Sequence, residues 1–164
     1  MSELPDIRWT LVYYHLMQLA VAYILALPIG WDREAGSRGV GLRTFPLVAA
    51  GCCGYLLIGL EVLSGSEAYA RLMYGLMSGI GFIGGGAILK TDRNVSGTAT
   101  AAAIWSTGAI GTAVAFQRYE IAISLSLVTF FTLKFIKPLK GIANRQGEPL
   151  PRHNSSSDDR HHSS

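Results

Sequence analysis

The stretch LMYGLMSGIGFIGGGAIL, residues 72–89, decides the fold of this chain. It carries no charge and contains Gly75, Gly79, Gly81, Gly84, Gly85 and Gly86. In water each glycine inside a helix costs roughly 1 kcal/mol relative to alanine, whereas in lipid it lets a second backbone come close. The segment therefore reads as a transmembrane helix that another element approaches, either packed inside a bundle or unwound for a ligand. On a regular helix Gly75, Gly79 and Gly86 share one stripe, and Ser78, Gly81 and Gly85 share the next. Gly75/Gly79 and Gly81/Gly85 both have the small-xxx-small spacing of close helix contacts.

The rest of the chain has the same character. Of 164 residues only 15% are charged, against about 25% in ordinary soluble domains, and the mean hydropathy is +0.31. A spanning helix needs about 20 mainly apolar residues, and five segments qualify, at about residues 9–31, 44–63, 68–89, 97–116 and 119–137. The expected fold is an all-α membrane protein, a bundle of about five transmembrane helices within residues 1–139. Residues 140–164 form a polar tail expected to be disordered and cytoplasmic. The first apolar run follows Glu3, Pro5 and Asp6 instead of a basic segment, so it is expected to remain as a span.

Basic residues orient the bundle. With five spans and the N-terminus outside, Arg8, Arg71 and Arg118 fall on the outer face. Arg33, Arg38, Arg43, Lys90, Arg93, Lys137, Lys140, Arg145, Arg152 and Arg160 fall on the inner face. That asymmetry follows the positive-inside rule and places the C-terminus in the cytoplasm. Trp9 and Trp31 bracket the first span, about 33 Å apart along a helix, as interfacial anchors do. His15 and Gln18, three residues apart, share a face near the outer end, where they are expected to hydrogen-bond each other or a neighbouring helix.

The fourth span is weakly apolar, rich in alanine, threonine and glycine, which argues for burial against the small-residue face of the third. The fifth, rich in Leu, Ile and Phe, is expected to face lipid. Between the third and fourth spans KTDRNVSG reads as a turn.

Polar residues gather at the inner ends. Asp32, Arg33 and Glu34 close the first span, and Arg43 and Thr44 open the second. They form the candidate polar site, with Thr44 as the expected N-cap. Arg43 opposes the positive end of a helix dipole and is expected to pair with Asp32 or Glu34. The helix-packing or ion-path candidates are Gly75, Gly79, Gly81, Gly84, Gly85, Gly86, Thr98 and Thr100. The adjacent Cys52 and Cys53 sit within a span and suit core packing better than a disulfide. No nucleophile elbow, phosphate loop or metal-ligand spacing is present, so neither an enzyme nor a cofactor or metal site is expected. Gly79-Ile80-Gly81-Phe82-Ile83-Gly84 matches GxGxxG but lies inside a span, which excludes the strand-to-helix context of a dinucleotide site. The basic inner face suits topology and anionic lipid, with no nucleic-acid partner expected.

Four segments in register resemble the MgtC/SapB family of bacterial inner-membrane proteins: IGWDRE (29–34), GLRTFPLVAAG (41–51), SGIGFIGGGAIL (78–89) and VSGTATAAAIW (95–105). The resemblance implies a multi-pass protein of the bacterial inner membrane, without the soluble C-terminal domain of longer members. It implies links to magnesium limitation, stress adaptation and survival of pathogens, and restraint of the membrane ATP synthase through helix contacts. Members are also described as magnesium transporters. Two functions are therefore expected to compete. One is a regulator acting through intramembrane contacts with a membrane-protein partner or as a homo-oligomer. The alternative is a small magnesium or proton transporter or channel.

Overall fold

The computed structural model describes residues 7–34, 41–91 and 94–145. Five helices follow one another: α1 (Trp9–Glu34), α2 (Thr44–Val62), α3 (Ser66–Gly86), α4 (Thr98–Ala115) and α5 (Tyr119–Arg145). Between α3 and α4 a short hairpin, β1 (Leu89–Thr91) and β2 (Asn94–Ser96), pairs antiparallel with Lys90 opposite Val95. This corrects the expected third span and its turn. Gly84 and Gly85 end the helix: the N–H groups of Ala87 and Ile88 donate to their carbonyls at the tighter i to i+3 spacing. Ile88 and Leu89 then continue as extended chain.

The centre of the bundle is α4, which packs against all four other helices. Its small side chains are the cause, because interhelical distance is set by what stands between the backbones. At Gly111 an added Cβ would overlap the Ala49 carbonyl oxygen and lie 2.9 Å from its carbon, so α2 and α4 touch backbone to backbone. At Gly108 the missing side chain makes room for the tip of Ile80 from α3. Phe45, Ile29, Leu56, Ile104, Ile110 and Val114 fill the core around these crossings. The Thr107 hydroxyl is satisfied within its own helix, donating to the Ala103 carbonyl at 2.8 Å.

Against expectation, α5 turns one face inward. Ala122, Ser126, Thr129 and Leu133, at helical spacing, are buried, while Ile123, Leu127, Val128 and Phe131 point away. Ser126 Oγ donates to the Leu25 carbonyl at 2.6 Å and ties α5 to α1. The helix also runs through Pro138 to Arg145, so residues 140–145 are helical and not part of a disordered tail. The remainder of that expected tail, 146–164, lies outside the described residues.

At the end of α4, Gln117 adopts φ 58°. The N–H of Arg118 reaches the Ala113 carbonyl and that of Gln117 the Val114 carbonyl, the paired bonds of a left-handed helix stop. Gln117 stands where glycine is usual, and its side-chain amide donates to the Tyr14 hydroxyl of α1.

Candidate functional site

The last turn of α1 and the entry to α2 form a tight corner. Arg33 Nη2 and Nε donate to Asp32 Oδ2 at 2.5 and 3.2 Å, with both side chains largely buried. Glu34 turns the other way, and its Oε2 accepts the Leu42 N–H at 3.1 Å. A carboxylate thus sits just ahead of the α2 N-terminus, where the helix dipole favours negative charge. Gly41 is required there, since a Cβ would run into the Glu34 side chain and lie 2.7 Å from its Cα.

Two expectations fail at this corner. Arg43 is exposed and has no ion pair among the described residues, because Asp32 is taken by its sequence neighbour and Glu34 by the backbone. Arg43 itself occupies the N-cap position without a side-chain cap, and Thr44 is the first helical residue, not the cap. Of the five candidates, Asp32 and Arg33 meet each other and Glu34 meets the Leu42 N–H just ahead of α2, while among the described residues no hydrogen bond or ion pair joins Arg43 or Thr44 to the other three. Glu34→Ala is expected to cost about 1 kcal/mol, the scale of a lost helix cap, seen as a lower melting temperature in detergent.

At the opposite end of the bundle His15 takes the second of its two expected partners, a neighbouring helix: its Nε2 lies 3.3 Å from Glu61 Oε1 of α2. The Gln18 amide is buried with neither its oxygen nor its nitrogen hydrogen-bonded among the described residues.

The glycines of α3 divide sharply. Gly84 packs on α4, where a Cβ would come within 3.3 Å of the Ala101 carbonyl oxygen. Gly75, Gly79, Gly81, Gly85 and Gly86 have no atom within 4 Å of where a Cβ would be. They therefore do not form the expected small-residue seam between the third and fourth helices. Only Ile80 and Gly84 of α3 are buried. Of the two threonines, Thr100 is buried in α4 and Thr98 is exposed at its first position. The glycines that make the close crossings are Gly108 and Gly111; their three-residue spacing within an alanine-rich run was the available signal.

Helix α3 leans more on α4 than on α2, which it meets where Leu72 fills the space beside Gly59, and α2 and α3 splay. The result is a cleft of about 760 Å³, lined by Thr44, Gly51 and Tyr55 of α2 and by Arg71, Gly75 and Gly79 of α3. Its walls are mainly apolar, and Gly51, like Gly75 and Gly79, has no atom within 4 Å of a Cβ position. Such a cleft admits an apolar rod close to both backbones. Among the described residues no group of three or more His, Cys, Asp or Glu side chains is placed to hold a metal ion.

Helices that place large apolar side chains outward and small ones at the crossings define a helical membrane protein, and α1 and α2 are each long and apolar enough to cross a bilayer. The chain belongs to the MgtC family, whose model matches residues 19–142. It is 33% identical over 153 residues to Protein SrpB of Synechococcus elongatus, covering 85% of this chain and 82% of that protein. It is 33% identical to the putative magnesium transporter YhiD of Escherichia coli, covering 76% of this chain and 61% of YhiD. To Protein MgtC of Salmonella typhimurium it is 30% identical, over 72% of this chain and 50% of that protein. The chain thus spans half to three fifths of the length of the last two. No solved structure is a significant match.

Proposed function

We propose that this protein is a multi-pass regulator of the bacterial inner membrane that acts by receiving a helix of a larger membrane complex in the cleft between α2 and α3. The cleft carries this reading. Its open glycines on both walls allow the close backbone approach that drives helix association in lipid, where hydrophobicity gives no preference for protein over acyl chains. All five helices cross the bilayer with the N-terminus outside, as the distribution of Lys and Arg supports. The name of YhiD, a putative magnesium transporter, supports a link to magnesium. Following the family resemblance, a proton-conducting complex such as ATP synthase is the partner to test first.

The backbone supports contact over conduction. Helix α3 stays wound through Gly84, Gly85 and Gly86, and the carbonyls of the first two are occupied by Ala87 and Ile88. An unwound segment offering free carbonyls to an ion is what a discontinuous transporter helix would need.

Gly51→Leu and Gly79→Leu project into the cleft from positions where an added Cβ meets no atom within 4 Å among the described residues. Both are expected to leave the protein monodisperse, to abolish co-purification of ATP synthase from membranes of magnesium-starved cells, and to remove any growth benefit there. Undiminished recovery of the complex with the cleft filled would sink the proposal. Magnesium flux through purified protein in liposomes, lost in Asp32→Asn, would replace it with transport.

A further inference from the structure

A second groove opens between α4 and α5, apart from the cleft. Ala109, Thr112 and Ala113 leave a shallow wall on α4, Ile121 and Leu125 stand opposite on α5, and Arg118 lies at its mouth. The space is about 400 Å³, and among the described residues no acidic side chain lines it. From Arg118 to Leu125 the groove runs roughly 10 Å along the helix.

We propose that this groove binds an anionic phospholipid, with one acyl chain lying between α4 and α5 and the phosphate on Arg118. The inference goes beyond the cleft reading and needs only that the chain resides in the membrane. In the orientation proposed above, the lipid belongs to the outer leaflet.

Charge complementarity selects the head group. Arg118 is exposed and has no ion pair among the described residues. Arg71, by contrast, is matched within its own helix by Glu67 at 2.6 Å. Glu120 stands two residues beyond Arg118, a spacing at which helix side chains do not face each other, and it borders the neighbouring hollow with Ser124 and Val128. An unpaired guanidinium at the water boundary offers a phosphate two parallel N–H donors, a fit that an ammonium group lacks.

The walls select the tail. A groove lined by alanine, isoleucine and leucine and open to the bilayer has acyl chains as its solvent, and Ile121 is 49% exposed to them. Unlike both walls of the α2–α3 cleft, it contains no glycine, a geometry that suits a flexible chain more than a second backbone. Thr112 adds one polar contact. Its hydroxyl has no hydrogen bond among the described residues, whereas Ser106 and Thr107 of the same helix donate to the carbonyl four residues back. It stands on the tail side of Arg118, where an ester carbonyl follows the phosphate.

Phosphatidylglycerol and phosphatidylcholine with identical chains, each added to the detergent-purified protein and counted by native mass spectrometry, test the site. The wild type is expected to retain one phosphatidylglycerol, several-fold more than phosphatidylcholine. Arg118→Gln should bring the two lipids level, while Arg8→Gln, the same loss of charge on a residue that does not line the groove, should keep the preference. Ala109→Leu narrows the groove from a half-buried position and should lower retention of both lipids several-fold. Millimolar inorganic phosphate should leave the lipid bound, because the tail contributes. Equal retention of the two lipids by the wild type, an unchanged preference in Arg118→Gln, an equal loss in Arg8→Gln, or displacement by inorganic phosphate would each overturn the site. Lipid lost in Gly79→Leu but kept in Ala109→Leu would move it to the α2–α3 cleft and overturn it as well. Lipid retention is read on the purified protein and ATP synthase recovery in membranes, so either proposal fails without the other.

Discussion

Gly111→Leu is expected to leave no monodisperse protein after detergent extraction, and Gly111→Ala to lower stability by ~1–3 kcal/mol, the usual range for an overfilled core. Even one carbon at this position overlaps the Ala49 carbonyl oxygen, and the obstacle is backbone on both sides. No rotamer change relieves it. Helices α2 and α4 would have to separate, and with them the packing of Phe45, Leu56, Ile104 and Ile110, all buried at or near this crossing. The comparison is Gly75→Leu, equally drastic in size but on a helix face with nothing within 4 Å. It should leave the chain folded. Size-exclusion profiles and melting curves of the two variants in one detergent read the difference, and equal behaviour would show that the α2–α4 crossing is looser than the structure has it.

That contrast also marks how far the sequence is legible. Hydropathy located five helices, and the weak hydrophobicity of Thr98 to Ala115 pointed to a buried α4. In a membrane protein small residues mark crossings because apolar bulk carries no inward preference. The same rule misled at α3. Periodicity reports which residues share a face, but not which face turns inward, so Gly75/Gly79 and Gly108/Gly111 look alike until the neighbours are placed. The hairpin was hidden for another reason. Two strands of three residues each, joined across the charged KTDRNVSG segment, carry too short a pattern to distinguish from a turn. At the α1–α2 corner, composition brought Asp32, Arg33, Glu34 and Arg43 together, yet partner choice depended on geometry. Asp32 paired with its immediate neighbour and Glu34 with a backbone N–H eight residues on. Gln18 gave no warning that its amide would be buried without a partner among the described residues, since its i+3 relation to His15 suggested one.

Gly97→Ala should be the most damaging change outside the helix crossings, at about 2 kcal/mol or more when a left-handed backbone and a steric overlap are combined. Gly97 has φ +84°, and a Cβ there would overlap the Ala87 carbonyl oxygen and lie 2.9 Å from its carbon. The residue stands between β2 and α4, with its own carbonyl accepting the Ala101 N–H in the first turn of α4. Any displacement passes in two directions. The hairpin loses its pairing of Leu89 with Ser96, and α4 shifts at Ala101, the residue on which Gly84 rests. Asparagine separates the two causes, because it accepts a left-handed conformation but still carries a Cβ. If the close approach to Ala87 dominates, Gly97→Asn fails nearly as badly as Gly97→Ala in thermal melts. Recovery of wild-type stability in Gly97→Asn would assign the cost to backbone conformation alone. Since the cleft wall depends on where Gly84 seats on α4, Gly97→Ala is also expected to reduce ATP synthase recovery, although Gly97 does not line the cleft.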